Sequence, residues 1–129
     1  MHAIWNERAL GRLPEIYSPI AELHGPAGRE LIGNDQISGF YASWLAGLPD
    51  LRVVFDHIAV VERDAGFDVA VRWMLSGTHT GPGLLAAPRG AKLLLMAVSH
   101  WRLENDLVVE DWTVFDELAV LRQMYEGSP

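Results

Sequence analysis

Among the residues of this chain that could do chemistry, Asp111 stands out. It lies in the stretch Leu107–Phe115, where strand alternation puts it on the same face as Leu107, Val109, Thr113 and Phe115. A carboxylate in that company is costly unless it is paired or wetted. A polar group kept there points to a pocket more readily than to a plain core. If its pKa is raised by burial, Asp111 can act as a general base. The other reading is a structural hydrogen bond to Arg72, His79 or a Trp ring nitrogen. Arg72, on an otherwise small and apolar strand face, needs an acid of its own, with Asp111, Glu110 and Asp56 as candidates.

Histidine is the usual proton shuttle near neutrality. His79 sits in the glycine-flanked segment Gly77-Thr78-His79-Thr80-Gly81, either as such a shuttle or as a loop histidine bonded to backbone. His24 closes a short strand and is expected at a pocket mouth, facing ligand. His100 has the parity opposite to Ser99 and is expected outside; His57 reads as structural. Asp116 reads as the N-cap of the last helix, with Glu117 in its first turn. Trp5, Tyr17, Phe40, Trp44, Trp73, Met96 and Trp101 are candidates to line a pocket, though most aromatics serve a core.

Several chemistries are excluded. The chain has no cysteine, so disulfides, thiolate metal sites and cysteine nucleophiles drop out. No His-x-x-x-His pair is present, and the glycines at 77, 81 and 83 do not open a helix as a phosphate cradle requires. No metal or cofactor is therefore expected. The net charge of −7 and the lack of a basic stripe argue against nucleic acid and anionic membrane. No run approaches the ~18 apolar residues of a membrane span, and no secretory signal is visible, which points to the cytoplasm.

The elements that must position these residues follow from periodicity. The 129 residues read as one domain, 1–129. Met1–Tyr17 reads as helix, beginning so abruptly that either the first helix is short or upstream chain is missing. A short strand follows at Ala21–His24. Ile37, Phe40, Tyr41, Trp44, Leu45 and Leu48 fall on one face of a helix capped by Asn34 or Asp35. Leu51–Glu62 and Phe67–Ser76 alternate around a turn at Asp64-Ala65-Gly66 and make a hairpin. Gly77–Gly83 reads as a loop or a bulged strand end. Ala91–Leu103 and Leu107–Phe115 form a second hairpin, and Glu117–Tyr125 a last helix. This order predicts α+β with a largely antiparallel sheet. The last two strands are apolar on both faces, so each face needs a cover. Helices can supply one; a second subunit is expected on the other, against Val108, Trp112 and Val114.

Ile4-Trp5-Asn6-Glu7-Arg8, His24-Gly25-Pro26, Gly33, Pro49-Asp50-Leu51, Arg72-Trp73, Gly77-Thr78-His79-Thr80-Gly81, Glu110-Asp111-Trp112 and Asp116 with Leu121 and Gln123 together resemble the SnoaL-like polyketide cyclases and the related ester cyclases, within the nuclear-transport-factor-two-like superfamily. The resemblance runs over nearly the whole chain. It implies a curved sheet rolled into a cone, wrapped by N-terminal helices over an apolar pocket. It also implies dimers through the outer sheet face, and cofactor-free ring closure driven by a carboxylate and a histidine on the last two strands. That aspartate falls on Thr113 here and that histidine on Ser99. Neither hydroxyl suits acid–base work near neutrality.

The expected function is a small cofactor-free enzyme that binds an apolar, enolisable molecule. Asp111 serves as base, His79 and His24 as proton donors or orienters, and Ser99 and Thr113 as polar contacts to the ligand. The rival is a non-catalytic ligand-binding or dimeric assembly module on the same fold. Other proton-transfer or hydrolytic chemistry is a third reading, since one fold hosts many activities.

Overall fold

Alternating runs at Arg52–Arg63 and Gly66–His79 and two-sided apolar runs at Ala91–Glu104 and Leu107–Phe115 make four long strands, and a computed structural model, which describes residues 1–82 and 84–126, places them in one sheet. The N-terminal segment is not a continuous helix. α1 spans only His2–Trp5, and a 3-10 turn follows at Leu10–Glu15. Arg8, between them, takes a positive φ of 57° and so breaks the helix. β1 is Tyr17–His24, β2 Glu30–Ile32 and α2 Gly33–Gly47. β3 (Arg52–Arg63), β4 (Gly66–His79), β5 (Ala91–Glu104) and β6 (Leu107–Phe115) precede α3 (Glu117–Glu126). Gly83 lies outside the described residues. β4 continues three residues past Ser76, so His79 ends a strand.

The sheet order is β2-β1-β6-β5-β4-β3. Only the β1–β6 pair is parallel. The result is the expected α+β architecture with a mostly antiparallel sheet. The sheet stays open, with β2 and β3 at its edges. Two irregularities set which way side chains face. In β3 the pairing jumps from Phe55–Trp73 to His57–Arg72, so Asp56 is the extra residue. In β6 it jumps from Glu110–Arg102 to Val108–Leu103, so Val109 is extra. Val108 is consequently buried, at 3 % exposure, where strict alternation from Asp111 had put it on the outer face.

The inner face carries the core. From α2 come Ile37, Tyr41, Trp44 and Leu45, as the helical spacing requires; Trp5, Leu13 and Tyr17 cover the rest. The short N-terminal segment is tied down by hydrogen bonds instead of helix length. Asn6 Nδ2 donates to Val53 O (2.8 Å), Asn6 Oδ1 accepts from Val53 N (2.7 Å), and Arg8 donates to the carbonyls of Leu45 and Pro49 at the end of α2. Asp116 Oδ1 accepts from Ala119 N at 3.0 Å, the N-cap expected of it. The outer face is apolar and open: Val54, Met74, Leu94, Met96, Val98 and Val114 run across β3, β4, β5 and β6, and all but Met74 are about half exposed.

Candidate active site

Asp111 faces inward from the middle of β6 and is 1 % exposed. Two hydroxyls serve it. Tyr17 OH donates to Oδ2 and Thr113 Oγ1 to Oδ1, each at 2.7 Å. Behind each hydroxyl stands another donor. Tyr41 OH lies 2.6 Å from Tyr17 OH. Ser99 Oγ lies 2.7 Å from Thr113 Oγ1 and accepts from Trp73 Nε1 at 2.9 Å. Since Tyr17 and Thr113 spend their protons on the carboxylate, Ser99 donates to Thr113, and Tyr41, whose hydroxyl also lies 3.3 Å from Met1 Sδ, donates over the shorter contact to Tyr17. Two relays thus end on one acid, one starting at an indole and one at a phenol.

The elements explain the convergence. Ser99 and Thr113 are directly paired across β5 and β6, and Asp111 is two residues from Thr113 on the same face. Tyr17 opens β1, which adds to β6 in parallel. Tyr41 lies on the buried stripe of α2, where a phenol needs a hydrogen-bond partner.

Among the described residues no cation touches the carboxylate. Burial pushes the Asp111 pKa up to about 6, against the hydrogen bonds from Tyr17, Thr113 and Trp101 and the charge of His24, which pull it down. Trp101 Nε1 is buried and makes no regular hydrogen bond, so its pull acts at longer range. Burial, and then the charge of Asp111, push the Tyr17 phenol well above its ordinary value, and Tyr41 moves up for the same reasons. Both phenols stay protonated.

Beside Asp111 is a hollow of about 10 Å³, lined by Trp5, Phe40, Tyr41, Phe55, Trp73, Ser99, Trp101 and Thr113. That is room for about one water. Five aromatic and polar residues expected from sequence at a pocket (Trp5, Phe40, Trp73, Trp101 and Ser99) do line it, with Thr113. Trp44 lines a different, larger groove on the far side of Phe40. Met96 is a correction. It is 57 % exposed on the outer face, because it is three residues from Ser99 and so has the opposite parity.

Neither histidine named from sequence reaches this point. His79 is level with Ala91, eight residues along β4 from Val71, which pairs with Ser99. That is about 26 Å of strand. It is fully buried, both ring nitrogens lack partners, and burial lowers its pKa, so it is neutral. His24 pairs with Trp112, not with Asp111, and therefore faces outward. Its ring stacks on Trp112 at 5.6 Å, and Nε2 meets Glu110 Oε2 at 2.8 Å. Burial works against its charge, but the bond and charge of Glu110, with Glu30 and Glu22, raise its pKa. Glu22, His24 and Glu110 are the one group among the described residues with metal-ligand spacing, their ligand atoms lying within 4.8 Å of one another on the outer surface. Arg72 takes Asp56 at 3.0 Å, leaving Asp111 uncompensated. Tyr41 is the residue that sequence reasoning missed as a site member. Its signal was a phenol on the buried stripe of α2.

The model of one family, the SnoaL-like polyketide cyclases, matches residues 1–124. No curated protein matches the chain. Among solved structures, a protein assigned as a SnoaL-like polyketide cyclase from Jannaschia sp. CCS1 superposes with a TM-score of 0.81 at 25% identity, covering 95% of this chain and 86% of that one. AclR of Streptomyces galilaeus, assigned as a hydroxylase, gives 0.78 at 25% identity, covering 96% and 75%. IdmH of Streptomyces antibioticus, assigned as a polyketide cyclase, shares the fold with a TM-score of 0.78 at 22% identity, covering 96% and 92%.

Proposed function

The chain belongs to the SnoaL-like polyketide cyclase family, and we propose that it is a cofactor-free cytoplasmic enzyme of the cyclase or isomerase type, with Asp111 as the base that removes a proton next to a carbonyl of an apolar, enolisable substrate. The observation that carries this reading is a buried carboxylate that, among the described residues, has no cation in contact and two hydroxyls as its close donors, with a pKa of about 6. Such a base is ionised at neutral pH, yet close enough to it to accept a proton from carbon with useful driving force. Different activities assigned to similar structures leave the reaction to be argued from the site itself.

The mechanism runs through the phenol relay. In the resting state Tyr41 donates to Tyr17 and Tyr17 to Asp111. The α-carbon proton passes to Asp111, and the C–H electron pair moves into the enolate. The carboxylic acid now has a proton to donate, so the relay can turn round: Asp111 to Tyr17, Tyr17 to Tyr41, Tyr41 to the enolate oxygen. Tyr41 lines the hollow, and this step requires its hydroxyl, which rests against Tyr17 OH at 2.6 Å and Met1 Sδ at 3.3 Å, to turn toward that oxygen. A donor aimed where charge develops in a water-poor site is a large source of rate. The enolate carbon then either takes the proton back at a new position or attacks a second carbonyl, whose alkoxide takes it. Ser99 and Thr113, standing where the family resemblance puts a histidine and an aspartate, hold the carboxylate in place and move no proton of the reaction.

The test needs no knowledge of the natural substrate. Deuterium exchange at the α-carbon of 2-tetralone in D2O, followed by NMR, should be accelerated by the protein. The Asp111→Asn variant should lose at least ~100-fold of that rate while remaining folded. Equal rates for the two proteins overturn the assignment and leave the ligand-binding module as the reading. The same proposal includes a homodimer through the outer face, supported by the apolar row Val54, Met96, Val98 and Val114. Sedimentation should give a dimer, and Met96→Asp a monomer.

A further inference from the structure

On the outer face, the parallel pair of the sheet gathers three carboxylates around one imidazole. Glu22 and His24 are two residues apart on β1 and so share a face. On β6, Glu110 is level with Glu22 and Trp112 with His24. Two glutamates side by side on neighbouring strands repel each other. Among the described residues, no Lys or Arg forms an ion pair with Glu22, Glu30 or Glu110; all three turn to His24. Arg102, paired with Glu110 on β5, instead lies over Trp112 at 5.6 Å and turns its Nε to Asp68.

The imidazole is oriented as a metal ligand needs to be. Its ring stacks on Trp112, with 5.6 Å between centroids and 21° between planes. Glu30 Oε1 stands 3.4 Å from Nδ1. A carboxylate on that side favours the tautomer with its proton on Nδ1 and leaves Nε2 free to coordinate. Nε2 lies 2.8 Å from Glu110 Oε2 and 3.8 Å from Glu22 Oε2, and the three atoms are within 4.8 Å of one another. Zinc bonds nitrogen and oxygen at about 2.0–2.2 Å, which sets tetrahedral ligand atoms about 3.3 Å apart. The observed spacings bracket that value, and small rotations of the two glutamates close the difference.

We propose that Glu22, His24 and Glu110 bind one divalent first-row transition cation of the zinc type across the outer seam of β1 and β6. One imidazole with two carboxylates suits such an ion, whereas magnesium and calcium take oxygen ligands. The cation replaces the proton that joins Nε2 to Glu110, and water fills the open coordination positions. Its effect is structural. Within the sheet, β1 and the three-residue β2 are joined to the other strands only through the β1–β6 pairing, which is displaced between Tyr17 and Glu22. A cation at this seam pins the strand that carries Tyr17 to Asp111, from the opposite face of the sheet. The site has no local signature, because Glu110 is 86 residues from His24. It stands whether or not Asp111 is a base.

The test uses untagged protein stripped with a chelator and titrated with Zn2+ alone, by calorimetry and by thermal unfolding. One ion should bind per chain, and saturation should raise Tm by about 4 °C. His24→Phe keeps a ring on Trp112 but removes the ligand nitrogen; Glu22→Gln and Glu110→Gln each remove a charge. Each variant should weaken Zn2+ at least tenfold and lose the Tm shift, with circular dichroism showing it folded. Mg2+ should bind at least a hundredfold more weakly than Zn2+. Absence of binding, affinity indifferent to His24→Phe and to both glutamate variants, or equal affinities for Mg2+ and Zn2+ overturn the proposal, the last by reducing the site to diffuse negative charge. Asp111→Asn should leave Zn2+ affinity within twofold. A loss there as large as in Glu110→Gln places the ion on the inner face and also overturns it.

Discussion

Two carboxylates withdrawn from water lie on opposite faces of the same sheet, and they have opposite fates. Asp68, on the outer face of β4, is 6 % exposed and is ringed by Arg63, by Arg102 at 3.5 Å and by His100 at 3.6 Å. Burial works against its charge, but the bond and charge of Arg63, with Arg102 and His100, hold its pKa below the usual range. Asp111, on the inner face of β6, has hydroxyls and no cation, and its pKa rises to about 6. Depth alone does not make a reactive acid. The neighbours decide whether the same side chain becomes a permanent anion that joins strands or a group poised to exchange a proton.

The comparison can be broken most sharply at Asp111. Beyond the loss of exchange in Asp111→Asn, the rate of the wild-type protein should rise as pH increases through about 6 and level off above it, because the base must be ionised. A flat profile from pH 5 to 8 sinks the assignment of the base.

Stability separates the two acids next. A folded pKa raised from 3.8 to about 6 means that the folded state favours the protonated form. Its contribution is therefore full below about pH 4 and is lost as pH rises through 6, by roughly 3 kcal/mol. Asp111→Asn should remove this loss, so the variant's Tm relative to wild type should climb between pH 4 and 7. Asp68 has the other sign. Its lowered pKa stabilises above the ordinary carboxylate range and gives that up as pH falls. Asp68→Asn should lower Tm at pH 7 and leave the exchange rate within twofold. A variant more stable than wild type at pH 7 contradicts the ion-pair reading of Asp68.

The relay offers a finer probe. Thr113→Val removes one hydrogen bond to the ionised carboxylate, so the midpoint of the pH–rate profile should move up by about one pH unit. A downward shift means that Thr113 does not donate to the anion. The smallest expected effect is at His24. It faces outward with Glu110, and His24→Gln should change exchange by less than twofold.

Much of this was legible in the sequence. The spacing from Ile37 to Leu48 fixed the buried stripe of α2, and the parity of Asp111 with Thr113 fixed the carboxylate and its hydroxyl partner on one face. The position of Met96 was legible too, since an odd separation from Ser99 cannot share a strand face. Other features depend on pairings no local pattern reveals. His24 turns outward because β1 joins β6 in parallel, through a displacement between Tyr17 and Glu22 that contains Pro19, a residue with no N–H to give to a ladder. Tyr17 and Tyr41 are 24 residues apart and meet only through that pairing. His79 looked available because its flanking residues suit a loop, whereas β4 runs on to bury it.

Val109, the extra residue of β6, has a consequence for how this scaffold can change. With it, Val108 and Asp111 are both buried although they are three positions apart. Removing that one codon would force a choice: either the start of the strand keeps its anchor, Val108 N to Ile16 O, or the acid keeps its aim. A single in-frame deletion would thus turn the Asp111 carboxylate out of the core without altering any side chain that touches it.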